Sequence, residues 1–167
     1  IHGIVKPGTD KTRTNWIKEI VPNVKIWETD ILSKLKLSYA IQNISPNEIY
    51  NFAGISNVFN AWDNLEKIFA VNAQVPQHIL DIILKFDKSI KFFQASSCLI
   101  FGRDTSGFQN ESTPTNPIYP YGIAKLYADN MVKEFRKTFN IFACSGIFFP
   151  HESERRGEEF ITKKITS

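Results

Sequence analysis

This sequence is organised around the stretch Tyr119-Pro120-Tyr121-Gly122-Ile123-Ala124-Lys125-Leu126-Tyr127. Proline suits the first turn of a helix, because the N–H that it lacks needs no partner there. A helix places Tyr121 and Lys125, four residues apart, on one face. An ammonium group beside a phenol favours the phenolate and lowers the tyrosine pKa, so this pair is a candidate general base for a hydroxyl group. Alone, the Tyr-x-x-x-Lys pattern is most often an ordinary surface pair.

Strand and helix patterns alternate on both sides of this stretch. Polar residues at 103–118 predict a long loop, a type of segment that often carries function. The helical pattern at 64–86 contains Pro76, so we expect a break or a new start near Asn72, a candidate N-cap. Apolar or alternating runs predict five strands, at 1–5, 24–27, 48–53, 90–96 and 141–149, and helical spacing predicts further helices before residue 20, at 35–44 and at 121–139.

This alternation predicts the fold class and the place of the site. Five strands separated by helices indicate an α/β fold, a parallel sheet with helices on both faces. Ligands bind such sheets at the carboxyl ends of the strands. Small or polar residues follow these ends, and Tyr121 follows the fourth strand. We therefore expect Tyr121 and Lys125 to lie at the ligand-binding edge.

Composition excludes several classes of protein. The chain has 167 residues, 43% of them hydrophobic and 22% charged, as expected of one soluble globular domain. A net charge of +3 with scattered basic residues predicts no nucleic-acid partner, and the apolar runs are too short for a membrane span. Two cysteines, Cys98 and Cys144, suggest no disulfide framework and favour a reducing, cytoplasmic setting. The histidines have no metal-ligand spacing, and an opening at Ile1 rather than Met is expected of a fragment.

Five passages together resemble a known family, the extended short-chain dehydrogenase/reductases that modify nucleotide sugars, and among them the GDP-mannose 4,6-dehydratases. The passages are Asp30-Ile31, residues 48–56, residues 94–102, residues 121–127 and residues 151–166. The resemblance implies a Rossmann-like doubly wound sheet that lacks its first βα unit. Residues 1–150 would form this NAD(P)-binding domain, and residues 151–167 would begin a substrate-binding region that is mostly absent.

The resemblance also implies roles for single residues. Tyr121 would be the catalytic base, Lys125 its partner and a ligand of the nicotinamide ribose, and Ser97 the residue that hydrogen-bonds the sugar hydroxyl. Asp30 and the Ile31 amide would hold the adenine. The remaining cofactor positions would be Phe52, Ala53, Gly54, Ser56, His151 and Arg156, with Lys6 and Thr9 where the family binds the 2′-phosphate of NADP.

Departures from the family leave three functions open. Leu99 replaces a glutamate that serves the dehydratases as acid and base, which favours an epimerase or a reductase over a dehydratase. No glycine-rich turn precedes Ile1, so we expect weak cofactor binding, and a non-catalytic truncated domain is the third possibility. Lys6-Pro7-Gly8-Thr9 replaces an Arg-Arg-Ser-Ser stretch, which leaves NAD and NADP both open. The implied substrate is a nucleotide sugar, first of all GDP-mannose, and the implied assembly is a homo-oligomer without nucleic acid or membrane.

Overall fold

A computed structural model describes residues 1–56, 62–103, 107–153, 155, 157–158 and 160–166. Its five strands are short and pair only in parallel. They are β1 (His2–Val5), β2 (Lys25–Glu28), β3 (Glu48–Asn51), β4 (Lys91–Ala95) and β5 (Ala143–Gly146). Each lies within a run that the sequence predicts as a strand, except that β2 extends one residue further, to Glu28. The pairing is shorter than the apolar runs, most of all in β5, where strand bonding stops at Gly146.

Helices connect the strands. They are α1 (Lys11–Ile20), α2 (Lys34–Ile44), α3 (Leu65–Phe69), α4 (Val75–Phe86), α5 (Pro120–Phe139) and α6 (Ile161–Thr166). Two have side-chain caps: Asp10 accepts the Thr12 amide and Ser33 accepts the Lys36 amide. The helix α5 begins at Pro120, as its sequence predicts, and ends at Asn140 with φ of 55°. None of the described helices is long and apolar enough to cross a membrane.

The core lies between the strands and the helices α2, α4 and α5. Its largest buried side chains include Phe92 of β4, Leu80 of α4 and Ile141 just before β5. Ile4 of β1, Ile49 of β3 and Ala143 of β5 belong to the same cluster or pack against it, so four of the described strands share one core. No described side chain of α1 is buried. The helix α4 packs against both α2 and α5.

Hydrogen bonding divides the strands into two sheets, β1-β2 and β3-β4-β5, where the sequence pattern predicts one. Within each sheet, strands that follow one another along the chain are neighbours, as in each half of a doubly wound sheet. Among the described residues, β1 and β3 each pair along one edge only.

The α-helical pattern is interrupted near Asn72, as expected, but Asn72 is not an N-cap and the chain stays helical throughout. Residues 70–74 form a π-helical turn that continues α3 directly into α4. Asn72 is fully buried in this turn and caps nothing. Its amide nitrogen donates to the carbonyls of Ile55 and Ile68, and its amide oxygen accepts the Ile55 N–H. The wider turn carries Pro76 into the first turn of α4, where proline is tolerated. The short 3₁₀ turns Trp62–Asn64 and Cys98–Ile100 and the helix α6 are additions to the prediction.

Candidate active site

Three predicted catalytic residues meet at the carboxyl edge of the sheet. Ser97 follows β4, and Tyr121 and Lys125 occupy the first two turns of α5. Lys125 Nζ lies 5.7 Å from the centre of the Tyr121 ring, so the two side chains share one side of the helix. All three residues are buried, with exposures of 8%, 9% and 3% in the order given. A buried phenol, hydroxyl and ammonium in one place form a candidate site for proton transfer.

Tyr121 corrects one expectation from the sequence. Burial raises the pKa of its phenol, the Ser97 hydroxyl that faces it lowers the pKa, and Cys98 raises it further. The predicted lowering by Lys125 is wrong for the protein without ligands. The ammonium lies over the face of the ring, and desolvation of the phenolate is the largest influence on this pKa. Ser97 is thus the group that favours the ionised phenol, and it also accepts the Leu99 amide at 3.3 Å.

Lys125 is held by the backbone of the neighbouring strand. Its Nζ donates to the Ala95 carbonyl at 2.8 Å. Burial lowers the pKa of Lys125 to about 8, and the nearby Asp129 acts in the opposite direction. Because this pKa lies near neutrality, Lys125 can hold or release a proton over a small range of pH.

A buried chain of amides connects β3 to the same carbonyl. Asn51 and Gln94 lie opposite each other in neighbouring strands, and Asn51 Nδ2 donates to Gln94 Oε1 at 2.8 Å. Gln94 Nε2 donates to the Ala95 carbonyl at 2.8 Å, and Asn51 Oδ1 accepts the Ala53 amide. The carbonyl that holds Lys125 is therefore fixed from two strands. Sequence reasoning missed both amides, although polar residues at matching positions of two core strands were a usable signal.

Asp30 and Ile31 lie just after β2, as predicted. Asp30 Oδ1 accepts the Leu32 amide at 3.1 Å, so the carboxylate stabilises a turn of its own. Its second oxygen has no hydrogen-bond partner among the described residues, which leaves an acceptor for a ligand amino group. Ile31 is half-buried against the main core, which fixes the backbone at that point.

The segment after β3 approaches Lys125 closely. A Cβ at Gly54 would lie 2.9 Å from Asn72 Oδ1 and 3.5 Å from Lys125 Nζ, so only glycine fits without movement of Asn72. Gly54 and Ser56 are exposed, Ala53 is half-buried and Phe52 is 64% exposed. Small residues at an accessible strand end fit a dinucleotide that passes over the backbone. Asn72, which fixes this segment, is a site residue that the sequence analysis treats only as a cap.

The remaining predicted cofactor residues make no described contact with Ser97, Tyr121 or Lys125. Lys6 is exposed after β1, and its carbonyl accepts both the amide and the hydroxyl of Thr9 in a tight turn. His151 is exposed beyond β5, with Nδ1 2.8 Å from the Phe149 carbonyl and its ring 5.5 Å from that of Phe148. Arg156 lies outside the described residues. The structure thus places Lys6, Thr9 and His151 at the carboxyl side of their strands, without joining them to the catalytic cluster.

Leu99 and Cys98 border the cluster. Leu99 packs with Tyr121 and Ala124 in a small apolar group, so it offers no proton where the resemblance expects a glutamate. Burial raises the pKa of the Cys98 thiol, which agrees with the packing role that its sequence suggests. Within the described part of the chain, no three His, Cys, Asp or Glu side chains are arranged to hold a metal ion.

Comparison with known proteins agrees with this geometry. The family model described as GDP-mannose 4,6 dehydratase matches residues 1–167. The GDP-mannose 4,6 dehydratases of Drosophila melanogaster and Homo sapiens are 39% and 35% identical over 99% of this chain. These alignments cover 44% and 47% of those relatives, so the chain spans less than half their length.

Solved structures share the fold. A dTDP-glucose 4,6-dehydratase from Bacillus anthracis in complex with NAD superposes with a TM-score of 0.83 at 20% identity, covering 99% of this chain and 51% of that one. The UDP-Glc/GlcNAc 4-epimerase from Campylobacter jejuni superposes with a TM-score of 0.81 at 20% identity, covering 89% and 45%. Identities this low support the Rossmann-like fold alone. On the family match and the sequence identities, the chain belongs to the GDP-mannose 4,6-dehydratase family.

Proposed function

We propose that this chain carries the dinucleotide-binding half and the catalytic pair of an NAD(P)-dependent enzyme that modifies a nucleotide sugar. The observation that carries the proposal is the buried cluster of Ser97, Tyr121 and Lys125 at the carboxyl edge of the sheet. The proposed reaction is that of a GDP-mannose 4,6-dehydratase: oxidation at C4, loss of water, and reduction at C6. Membership of the family supports this choice.

The side chains divide the work of the oxidation. The Tyr121 phenolate takes the proton of the C4 hydroxyl, and Ser97 orients that hydroxyl. Lys125 stabilises the phenolate through its charge and is held in place by the Ala95 carbonyl. When bound at this site, NAD(P) would supply the hydride acceptor for the oxidation at C4 and the hydride donor for the reduction at C6. Burial of the cluster excludes water and strengthens each of these interactions.

We propose the following cofactor contacts. Asp30 and Ile31 would hold the adenine, Phe52, Ala53, Gly54 and Ser56 would line the dinucleotide, and Lys125 would hold the ribose of the nicotinamide. Lys6 and Thr9 would bind the 2′-phosphate if the cofactor is NADP, and His151 and Arg156 would be further cofactor ligands. The support is the position of the described members after their strands. Residues 151–167 then begin the substrate-binding region, and the intact protein is a homo-oligomer.

One observation favours a second candidate, an epimerase or a reductase for nucleotide sugars. Leu99 packs beside Tyr121, where elimination of water needs an acid and a base. Leucine transfers no proton, and the loss of a positioned general acid and base slows such a step by about 10²–10⁴. Oxidation at C4 needs only the tyrosine, the lysine and the cofactor, so it survives this replacement.

Turnover of GDP-mannose by the intact protein with NADP or NAD tests both candidates. A 4-keto-6-deoxy product identifies the dehydratase. Hydride transfer to the cofactor without that product in wild type, together with product in Leu99→Glu, identifies an enzyme that has lost elimination. Absence of hydride transfer with every nucleotide sugar tried would reject the proposal and favour a non-catalytic domain.

A further inference from the structure

Asp129 is a buried acid on the catalytic face of α5. It follows Lys125 by four residues and Tyr121 by eight, so the three side chains occupy successive turns of one helix face. Its exposure is 3%. A carboxylate buried this deeply is costly unless other groups compensate its charge. The Tyr-x-x-x-Lys pattern does not include Asp129, and the proposed chemistry assigns it no step.

The carboxylate of Asp129 lies between the ends of two strands. Ser96, which follows β4, donates its hydroxyl to Oδ2 at 2.5 Å. Oδ1 is buried without a hydrogen-bond partner among the described residues, and so is the hydroxyl of Ser145 in β5. Ser145 nevertheless lowers the pKa of Asp129, which places its hydroxyl close to the carboxylate. One side chain of α5 is thus bonded to Ser96 after β4 and lies near Ser145 of β5.

Two ammonium groups, those of Lys133 and Lys125, act on the charge of Asp129. Burial raises the pKa of Asp129, while Ser96, Ser145, Lys133 and Lys125 lower it. Lys133 is exposed, so water screens its charge. In the other direction, Asp129 is the charged group that opposes the lowering of the Lys125 pKa by burial. The thiol of Cys98 acts on Tyr121 rather than on this pair.

We propose that Asp129 is a positioning residue that keeps Lys125 in its charged form from one helix turn away, while the Ala95 carbonyl holds the ammonium in place. The serine hydroxyl of Ser96 anchors the carboxylate, and the carboxylate supplies the negative charge that the buried ammonium lacks. The effect of Asp129 on catalysis rests on the proposed function. Its effect on the charge of Lys125 does not.

A purely structural role for Asp129 makes a different prediction. If its only task were to join α5 to β4, a neutral side chain that accepts the Ser96 hydroxyl would serve equally well. Asp129→Asn is that side chain: it keeps the size and an acceptor oxygen and removes the charge. Glu134→Gln is the matched control, because Glu134 is an exposed acid on the same helix.

NMR titration of the ammonium tests the pairing without any cofactor. The chain is labelled with ¹³C-lysine, and the Lys125 signal is identified by its absence in Lys125→Met. In wild type we expect a midpoint near pH 8. In Asp129→Asn we expect the midpoint about one pH unit lower, because an opposite charge at close range has been removed. Glu134→Gln should leave the midpoint unchanged.

An unchanged midpoint in folded Asp129→Asn would overturn the proposal. If that variant does not fold, the wild-type protein provides a second measurement. The side-chain carboxyl carbon of Asp129 should shift when Lys125 loses its proton near pH 8, and Lys125→Met should abolish this step. A carboxyl signal that does not respond in that range would equally reject the pairing.

The intact enzyme separates this proposal from the proposed function. If the protein transfers hydride, the alkaline limb of its pH profile should move to lower pH in Asp129→Asn and stay in place in Glu134→Gln. A pH profile that does not move would show that Asp129 does not act on hydride transfer through Lys125. If wild type transfers no hydride, the proposed function fails, and the titration of Lys125 still decides whether Asp129 is its counter-charge.

Discussion

Desolvation acts on both titratable residues of the candidate catalytic cluster, Tyr121 and Lys125. Burial raises the pKa of Tyr121 and lowers that of Lys125, so both side chains favour their neutral forms in the protein without ligands. Only nearby polar groups, Ser97 for the phenol and Asp129 for the ammonium, act against this. The chemistry therefore depends on a few short-range partners more than on the pair itself.

Removal of the Tyr121 hydroxyl should stop the oxidation. In Tyr121→Phe we expect hydride transfer by the intact enzyme to fall by about 10²–10⁴, because no group remains to take the proton. The matched control is Tyr127→Phe, on the same helix, whose hydroxyl donates to Gln77 instead. Single-turnover reduction of the cofactor is the measurement. Near-normal turnover in Tyr121→Phe would exclude it as the base.

The Lys125 charge should appear in the pH dependence of stability. Above pH 8 the folded protein releases this proton, whereas a lysine in the unfolded chain keeps it to about pH 10.4. The unfolded state then binds more protons, so the free energy of unfolding of wild type should rise by about 2 kcal/mol from pH 8 to 10 relative to Lys125→Met.

Denaturant titrations at several pH values measure this difference. The control is Lys137→Met, an exposed lysine of the same helix, for which the difference from wild type should not depend on pH. A flat difference for Lys125→Met as well would mean that the folded lysine keeps its ordinary pKa.

Sequence reasoning found Tyr121, Lys125 and Ser97 because a spacing and a resemblance mark them. It missed Asp129 and Gln94 because their importance arises from burial and from partners on other strands. It also gave the wrong direction for the Tyr121 pKa. Proximity of an ammonium can be read from i and i+4 spacing, but desolvation depends on the whole surrounding fold.

The π-helical turn is the element that ties the helical layer to the loop after β3. Its Asn72 makes three hydrogen bonds, to the amide and carbonyl of Ile55 and to the carbonyl of Ile68. Gly54 packs directly against the same side chain. The turn thereby sets how closely the backbone after β3 approaches Lys125.

Truncation of Asn72 should be costly. Asn72→Ala leaves buried backbone groups of Ile55 without partners and opens a small cavity, so we expect the free energy of unfolding to fall by about 2–4 kcal/mol. Asn43→Ala is the control, an exposed asparagine on α2 that bonds only the carbonyl of Tyr39, with an expected change within about 0.5 kcal/mol. Equal effects of the two variants in urea denaturation would contradict the proposed tie.

Most helices and strands could be predicted from the sequence. Strand and helix types follow from hydrophobic periodicity, and the start of α5 follows from Pro120. The continuous helix from α3 to α4 could not be predicted, because a π-helical turn that accommodates Pro76 has no sequence signature of its own. The division into two sheets was also hidden, since pairing between strands distant in sequence leaves no local pattern.

At the scale of the molecule, the two sheets contribute unequally to the core. The strands β3, β4 and β5 and the helices α2, α4 and α5 supply nearly all the buried apolar side chains, whereas β1 and β2 supply partly buried ones and α1 none that is described as buried. Segments with few buried contacts open at lower free energy than the rest of a domain. The unit β1-α1-β2 should therefore be the weaker part.

Hydrogen exchange can measure this difference. We expect the amides of β4, which pair on both sides, to exchange only through global unfolding, and those of β1 and β2 to open at a free energy lower by about 2 kcal/mol or more. Mass spectrometry of peptides from the native chain, with urea to separate local from global opening, gives both values. A single opening free energy across all five strands would show one cooperative unit instead.

Among the described residues, β1 and β3 each have one unpaired edge, and these edges affect how the chain behaves in solution. An edge with vacant N–H and C=O groups is a template for any extended peptide, including a neighbouring molecule. The exposed aromatic rings of Tyr50, on β3, and Phe52, just after it, add apolar surface that favours association. Concentrated samples should therefore gain light scattering and thioflavin fluorescence with time, so spectroscopy on a monomeric species calls for dilute protein and short acquisition.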